Sequence, residues 1–261
     1  MGRGCDGAGE VDYFNDGARN GELLWLSVMI IAVNVKWIGA ALLSLTLAAC
    51  SGNKPDQQPG GTATSAPAPN PTMAATADTR AVIVAFGDSL TAGYGVEPGK
   101  SYPDDLQRML DAAGYKYHVV NLGASGDTTT DGIQRLPEVL AAKPKIVILE
   151  FGGNDGLRGL PVSTTRANQT TIVEALQRAG ITILLAGMSL PRNYGPDYIH
   201  SFEQVYVDLA KNYKLARIPF LLEGVGGHPE LLQADGIHPT AEGCNIVSTN
   251  VLKYLQPLLK Q

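Results

Sequence analysis

Three short apolar runs constrain the fold of this 261-residue chain more than any other feature. They are Ala81-Val82-Ile83-Val84-Ala85-Phe86, Lys145-Ile146-Val147-Ile148-Leu149-Glu150-Phe151 and Ile181-Thr182-Ile183-Leu184-Leu185-Ala186. Successive side chains of a strand point to opposite faces. A run that is apolar at nearly every position is therefore a strand covered on both sides. Weaker strand patterns lie at Tyr117 to Asn121 and at Ala216 to Leu221.

Helical patterns separate the strands. Leu106, Met109, Leu110 and Ala113 fall at helical spacing behind Pro103, which suits a first turn. Ile133, Leu136 and Leu140 predict a second helix, ended before Pro144. A third is predicted from Thr171 to Ala179, closed by Gly180, and a fourth from Phe202 to Tyr213. The last runs from about Pro239 to Leu255 with Cys244, Val247, Val251 and Leu255 on one face. Strands alternating with helices build βαβ units on a parallel sheet. Right-handed crossovers then put helices on both faces, which gives a three-layer α/β sandwich. Ligands of such sheets bind beyond the carboxyl ends of the strands, so the turns there are where chemistry is sought.

The first eighty residues do not fit this pattern. Residues 29–49 are largely apolar and carry Lys36 ahead of Trp37 to Ala49, the layout of a secretory signal. The ending Leu47-Ala48-Ala49-Cys50 resembles the bacterial lipobox, which implies acylation of Cys50 and a membrane anchor in the cell envelope. A plain transmembrane anchor over 23–49 is the competing reading, since that length spans a bilayer. Residues 1–28 contain Asp6, Glu10, Asp12, Asp16 and Glu22, which are wrong for a signal's leading region. They read as an upstream over-read, with the start at Met29. Residues 50–80 are rich in Pro, Ala and Thr and read as a tether. The folded domain is then 81–261.

The formal net charge is −5 and no Lys/Arg cluster occurs, which excludes the basic footprint of a nucleic-acid binder. Cys5, Cys50 and Cys244 form neither a disulfide framework nor a metal spacing. There is no phosphate loop and no Gly-x-Ser-x-Gly elbow. No cofactor and no metal are expected.

Four polar turns remain. The first strand leads into Gly87-Asp88-Ser89-Leu90-Thr91-Ala92-Gly93. There Ser89 is either a nucleophile facing the crevice or a helix N-cap. Gly123-Ala124-Ser125-Gly126-Asp127-Thr128 and Gly152-Gly153-Asn154-Asp155-Gly156 follow two further strands. Backbone N–H groups in the one and the Asn154 amide in the other can stabilise an oxyanion; each alone is also an ordinary turn. Asp235-Gly236-Ile237-His238-Pro239 places a carboxylate and an imidazole three residues apart on one loop. A serine needs such a base, and the base needs such an orienter. The other histidines fit less well: His118 lies in a strand pattern, His200 begins a helix, and His228 has only Glu230 nearby.

Taken together, these four segments resemble the GDSL, or SGNH, hydrolase family across about 81–257. The resemblance implies a flavodoxin-like sheet of five parallel strands. It implies Ser89 as nucleophile, Asp235 and His238 as its partners, and an oxyanion hole of Ser89, Gly126 and Asn154, with Gly123 a lesser candidate. Gly152-Gly153-Asn154-Asp155-Gly156-Leu157-Arg158-Gly159 and Leu190-Pro191-Arg192-Asn193-Tyr194-Gly195 are similar to the branch of multifunctional thioesterases, lysophospholipases and arylesterases. In that branch these segments border the acyl-binding crevice. The expected partner is a small acyl ester or thioester. A carbohydrate O-acetyl esterase and a non-catalytic envelope lipoprotein are the alternatives.

Overall fold

A computed structural model describes residues 78–260. The readings of 1–28 and 29–49, Cys50, and the tether up to residue 77 lie outside the described residues. The remainder is a five-stranded sheet of β1 (Ala81–Gly87), β2 (Tyr117–Gly123), β3 (Ile146–Glu150), β4 (Thr182–Ala186) and β5 (Ala216–Ile218). The order is β2-β1-β3-β4-β5 and every pairing is parallel. This is the flavodoxin-like arrangement that the resemblance implied. Its strand order reverses at β1, so the switch point opens between β1 and β3.

The helices that frame the sheet are α2 (Tyr102–Ala112), α3 (Thr129–Ala141), α5 (Val162–Arg178), α6 (Pro196–Tyr213) and α7 (Ala241–Leu255). Two one-turn helices, α1 (Ser89–Ala92) and α4 (Gly153–Leu157), follow β1 and β3 directly. Helix α2 packs on α7, while α3 packs on α5 and α5 on α6. The sheet lies between these two groups, as right-handed crossovers demand. Val84, Phe86, Val147, Leu149 and Leu185 are fully buried in the core, and Phe86 meets Phe151 edge-on at 4.7 Å. Register brings the strand ends level: Gly87 pairs with Gly123 on one side and with Glu150 on the other. The three loops that follow therefore leave the sheet in one row.

Two helix starts and one helix face differ from the sequence pattern, each for a physical reason. Helix α5 starts nine residues earlier than Thr171, because the inward positions of its first half are polar. Thr165 and Gln169 are buried there, and the Gln169 amide donates to the Phe151 carbonyl at 2.8 Å. Helix α6 starts at Pro196, a residue suited to a first turn, with Gly195 at φ 83° before it. In α3 the buried face carries Leu136 and Val139, while Leu140 is exposed.

Candidate functional site

The first loop of the row turns at Asp88, whose side chain accepts the Leu90 N–H at 3.0 Å and caps α1. Asp88 thus takes the N-cap role that Ser89 alone left open. Ser89 is the first residue of α1, where an N–H has no partner within the helix. Its Oγ lies 2.8 Å from His238 Nε2. His238 Nδ1 lies 2.7 Å from Asp235 Oδ2. The other Asp235 oxygen accepts the Ile237 and His238 N–H groups at 2.9 and 3.0 Å. Burial pushes the Asp235 carboxyl upward. The bonds from His238 and Ile237 outweigh that and hold it at about 2, so it is charged at neutral pH. Hydroxyl, imidazole and carboxylate form one line that can carry a proton away from Ser89 Oγ.

The second loop brings Gly126 to the same crevice, at φ 88°, where glycine is favoured. Two arginines fix this loop. Arg135 donates to Asp127 Oδ2 at 2.7 Å and to the Leu122 carbonyl at 2.8 Å. Arg158 donates to the Gly126 carbonyl at 2.8 Å. Gly123 instead ends β2, level with Gly87, and lies outside the crevice lining.

The third loop folds into α4 and carries Asn154. Its amide nitrogen donates to the Asp127 carbonyl at 2.9 Å and to Asp88 Oδ2 at 3.2 Å. One side chain therefore ties the second loop to the first. Behind it, Glu150 is fully buried. One of its oxygens accepts the Asp88 N–H at 3.0 Å and the Thr91 hydroxyl at 2.8 Å. The other has no partner among the described residues. Burial raises the Asp88 carboxyl to about 6, against the bonds it accepts from Leu90 and Asn154. Burial, then the charge of Asp88, raises Glu150 well above the carboxylate range. The pair thus resists carrying two charges.

The crevice encloses about 740 Å³. Its lining brings the polar groups of Ser89, Gly126, Asn154 and His238 together with apolar side chains, among them Leu157, Met188, Leu190, Phe220 and Ile237. Such a volume suits a small organic ligand. Tyr94, half exposed, covers one side of His238 with ring centroids 4.7 Å apart. The remaining histidines stay apart: His228 pairs with Glu230 at 3.2 Å on the surface, and His118 sits in β2 near Asp78. Among the described residues no group of His, Cys, Asp and Glu could hold a metal ion.

Sequence reasoning left several residues in and around this site without a role, among them Glu150, Arg135, Arg158 and Gln233, whose amide donates to the Tyr94 carbonyl. Glu150 was visible as a charge inside an apolar run. Arg158, exposed at the end of α4, and Gln233, half-buried in a loop, gave no signal, because polar residues at such positions look alike in sequence.

The fold and this line of groups define a serine hydrolase. The chain belongs to the GDSL-like lipase/acylhydrolase family, whose model matches residues 85–246. It is 43% identical to Esterase TesA of Pseudomonas aeruginosa over 178 residues, covering 68% of this chain and 89% of that one. It is 38% identical to Thioesterase 1/protease 1/lysophospholipase L1 of Escherichia coli K12, covering 71% and 87%. The crystal structure of AlinE4, an SGNH-hydrolase family esterase, superposes with a TM-score of 0.58 at 43% identity, covering 70% and 98%.

Proposed function

We propose that the chain hydrolyses carboxylic esters and thioesters of apolar acyl groups through a covalent acyl-enzyme on Ser89. The observation that carries this is the Ser89–His238–Asp235 line, with its two bonds of 2.8 and 2.7 Å, whose Ser89 and His238 line a largely apolar crevice. His238 takes the Ser89 proton as Oγ attacks the carbonyl carbon. Asp235 holds the imidazole with Nδ1 protonated and stabilises the cation that forms. The new oxyanion accepts from the Ser89 and Gly126 N–H groups and from Asn154. Asn154 shares the N–H of its longer bond, the 3.2 Å contact with Asp88. His238 then protonates the leaving oxygen or sulfur. Water, deprotonated by His238, releases the acid and restores Ser89.

The apolar lining supports acyl chains longer than acetyl, as in aryl esters, lysophospholipids and acyl thioesters. A panel of p-nitrophenyl esters of rising chain length tests this, with Ser89→Ala alongside. Ser89→Ala is expected to lose at least roughly 10⁴-fold in kcat and all labelling by a fluorophosphonate. Normal turnover by that variant refutes the assignment. An acetyl-only profile points instead to sugar acetates.

The setting is part of the proposal. The resemblance of Leu47-Ala48-Ala49-Cys50 to a lipobox supports a lipid anchor on Cys50 and a place in the cell envelope. Mass spectrometry of the native protein checks both: an acylated peptide beginning at Cys50 is expected, and peptides from 1–28 contradict the start at Met29.

A further inference from the structure

The loop that carries Asp235 and His238 has no regular structure, yet the base must meet Ser89 within a few tenths of an ångström. Most of its bonds are its own. Leu232 and Pro239 form an isolated bridge, Gln233 N–H donates to the His238 carbonyl at 2.7 Å, and Thr240 N–H to the Leu231 carbonyl at 2.9 Å. These shape the loop but do not say where it sits. Among the described residues, one hydrogen bond besides the His238–Ser89 contact joins this loop to the turn of residues 87–95. The Gln233 amide nitrogen donates to the Tyr94 carbonyl at 2.7 Å and also to the Pro239 carbonyl at 2.9 Å. Tyr94 is bound in turn to the nucleophile, its N–H donating to the Ser89 carbonyl at 3.0 Å. The strap also lies over Gly95, where a Cβ would stand 2.1 Å from Gln233 Oε1.

We infer that Gln233 is a positioning residue that sets the distance from His238 to Ser89 by spanning the two halves of the site. Its chemistry fits the task. One primary amide nitrogen offers two N–H donors, and two carbonyls, one on each half, receive them. A glutamate of the same shape, when ionised, presents only acceptors to those carbonyls and drives the halves apart. This inference rests on Ser89 and His238 acting as nucleophile and base.

The test compares Gln233→Glu and Gln233→Ala with the wild type and Ser89→Ala on p-nitrophenyl butyrate between about pH 5 and 8. Both Gln233 variants are expected to lose roughly 10- to 100-fold in kcat, the loss that small misplacement brings, with KM near the wild-type value. Fluorophosphonate labelling slows in parallel. Relative to wild type, Gln233→Glu recovers toward pH 5, where its carboxyl gains a proton and one donor returns, while Gln233→Ala stays flat. If Gln233→Glu fails to fold, the kcat-against-KM split of Gln233→Ala still decides. Variants within about twofold of wild type in kcat overturn the proposal, as does a rise in KM alone or an identical pH response of the two variants. An inactive wild type, or an active Ser89→Ala, overturns the catalytic reading itself and is distinguishable from those results.

Discussion

The two halves of the site are held in different ways. The nucleophile half grows from strand ends. Ser89, Gly126 and Asn154 follow β1, β2 and β3, and their supports Asp88, Thr91 and Glu150 are buried. The base half is a loop of residues 231–240, half-buried except for the exposed tip at 234–236 and bonded mostly to itself. In the first half each polar group is both part of the site and part of the core's hydrogen bonding, since a buried polar atom left alone is costly. In the second, water can replace what a side chain gives up. Damage to the buried half should therefore reduce both stability and rate, and damage to the loop half rate alone.

His238→Ala breaks the comparison hardest. Without a base, kcat should fall on the order of 10⁴- to 10⁶-fold. The melting temperature should stay close to wild type, because the imidazole bonds only Ser89 and Asp235 at the crevice surface. A calorimetric scan that shows large destabilisation contradicts the view of the loop as energetically separate.

Asn154→Ala comes next. Losing one oxyanion donor should lower kcat by about 10²- to 10³-fold. Here stability should fall as well, by about 1 to 3 kcal/mol, because Asp88 and the Asp127 carbonyl lose a donor in a part-buried setting. Urea unfolding measured beside the kinetics separates the two effects. A variant as stable as wild type removes the link between site and core on this side.

The same contrast explains what was legible in the sequence. Strands β1, β3 and β4 were readable because burial on both faces leaves an apolar run, and the row of turns followed from their order. Ser89, Gly126, Asn154, Asp235 and His238 were readable because motif spacing records them. The first half of α5 was not: Thr165 and Gln169 point inward, and a pattern built on apolar residues misses polar ones satisfied in the core. Nor was the strap. The bond from Gln233 to Tyr94 joins positions 139 residues apart, and no local pattern encodes such a pairing.

The smallest expected effect separates the halves by pH. Asp88 holds its proton up to about 6, against an ordinary 3.8, chiefly through burial. Across that window the unfolded chain releases a proton that the folded chain keeps, so stability falls as pH rises. Glu150 is raised for the same reason and then by the charge of Asp88, and it carries the fall to higher pH. Asp235 runs the other way. Its folded value is lowered to about 2, so its contribution is present above the ordinary carboxylate range and disappears as pH drops through about 2. Glu150→Gln keeps an oxygen for the Asp88 N–H and the Thr91 hydroxyl but has no proton to lose. Its unfolding free energy, measured in urea from about pH 5 to 8, should fall less steeply than that of the wild type. The difference in slope is at most about 1.4 kcal/mol per pH unit for one proton. Parallel curves mean that Glu150 does not titrate on unfolding, and the buried half would then owe its pH response to Asp88 alone.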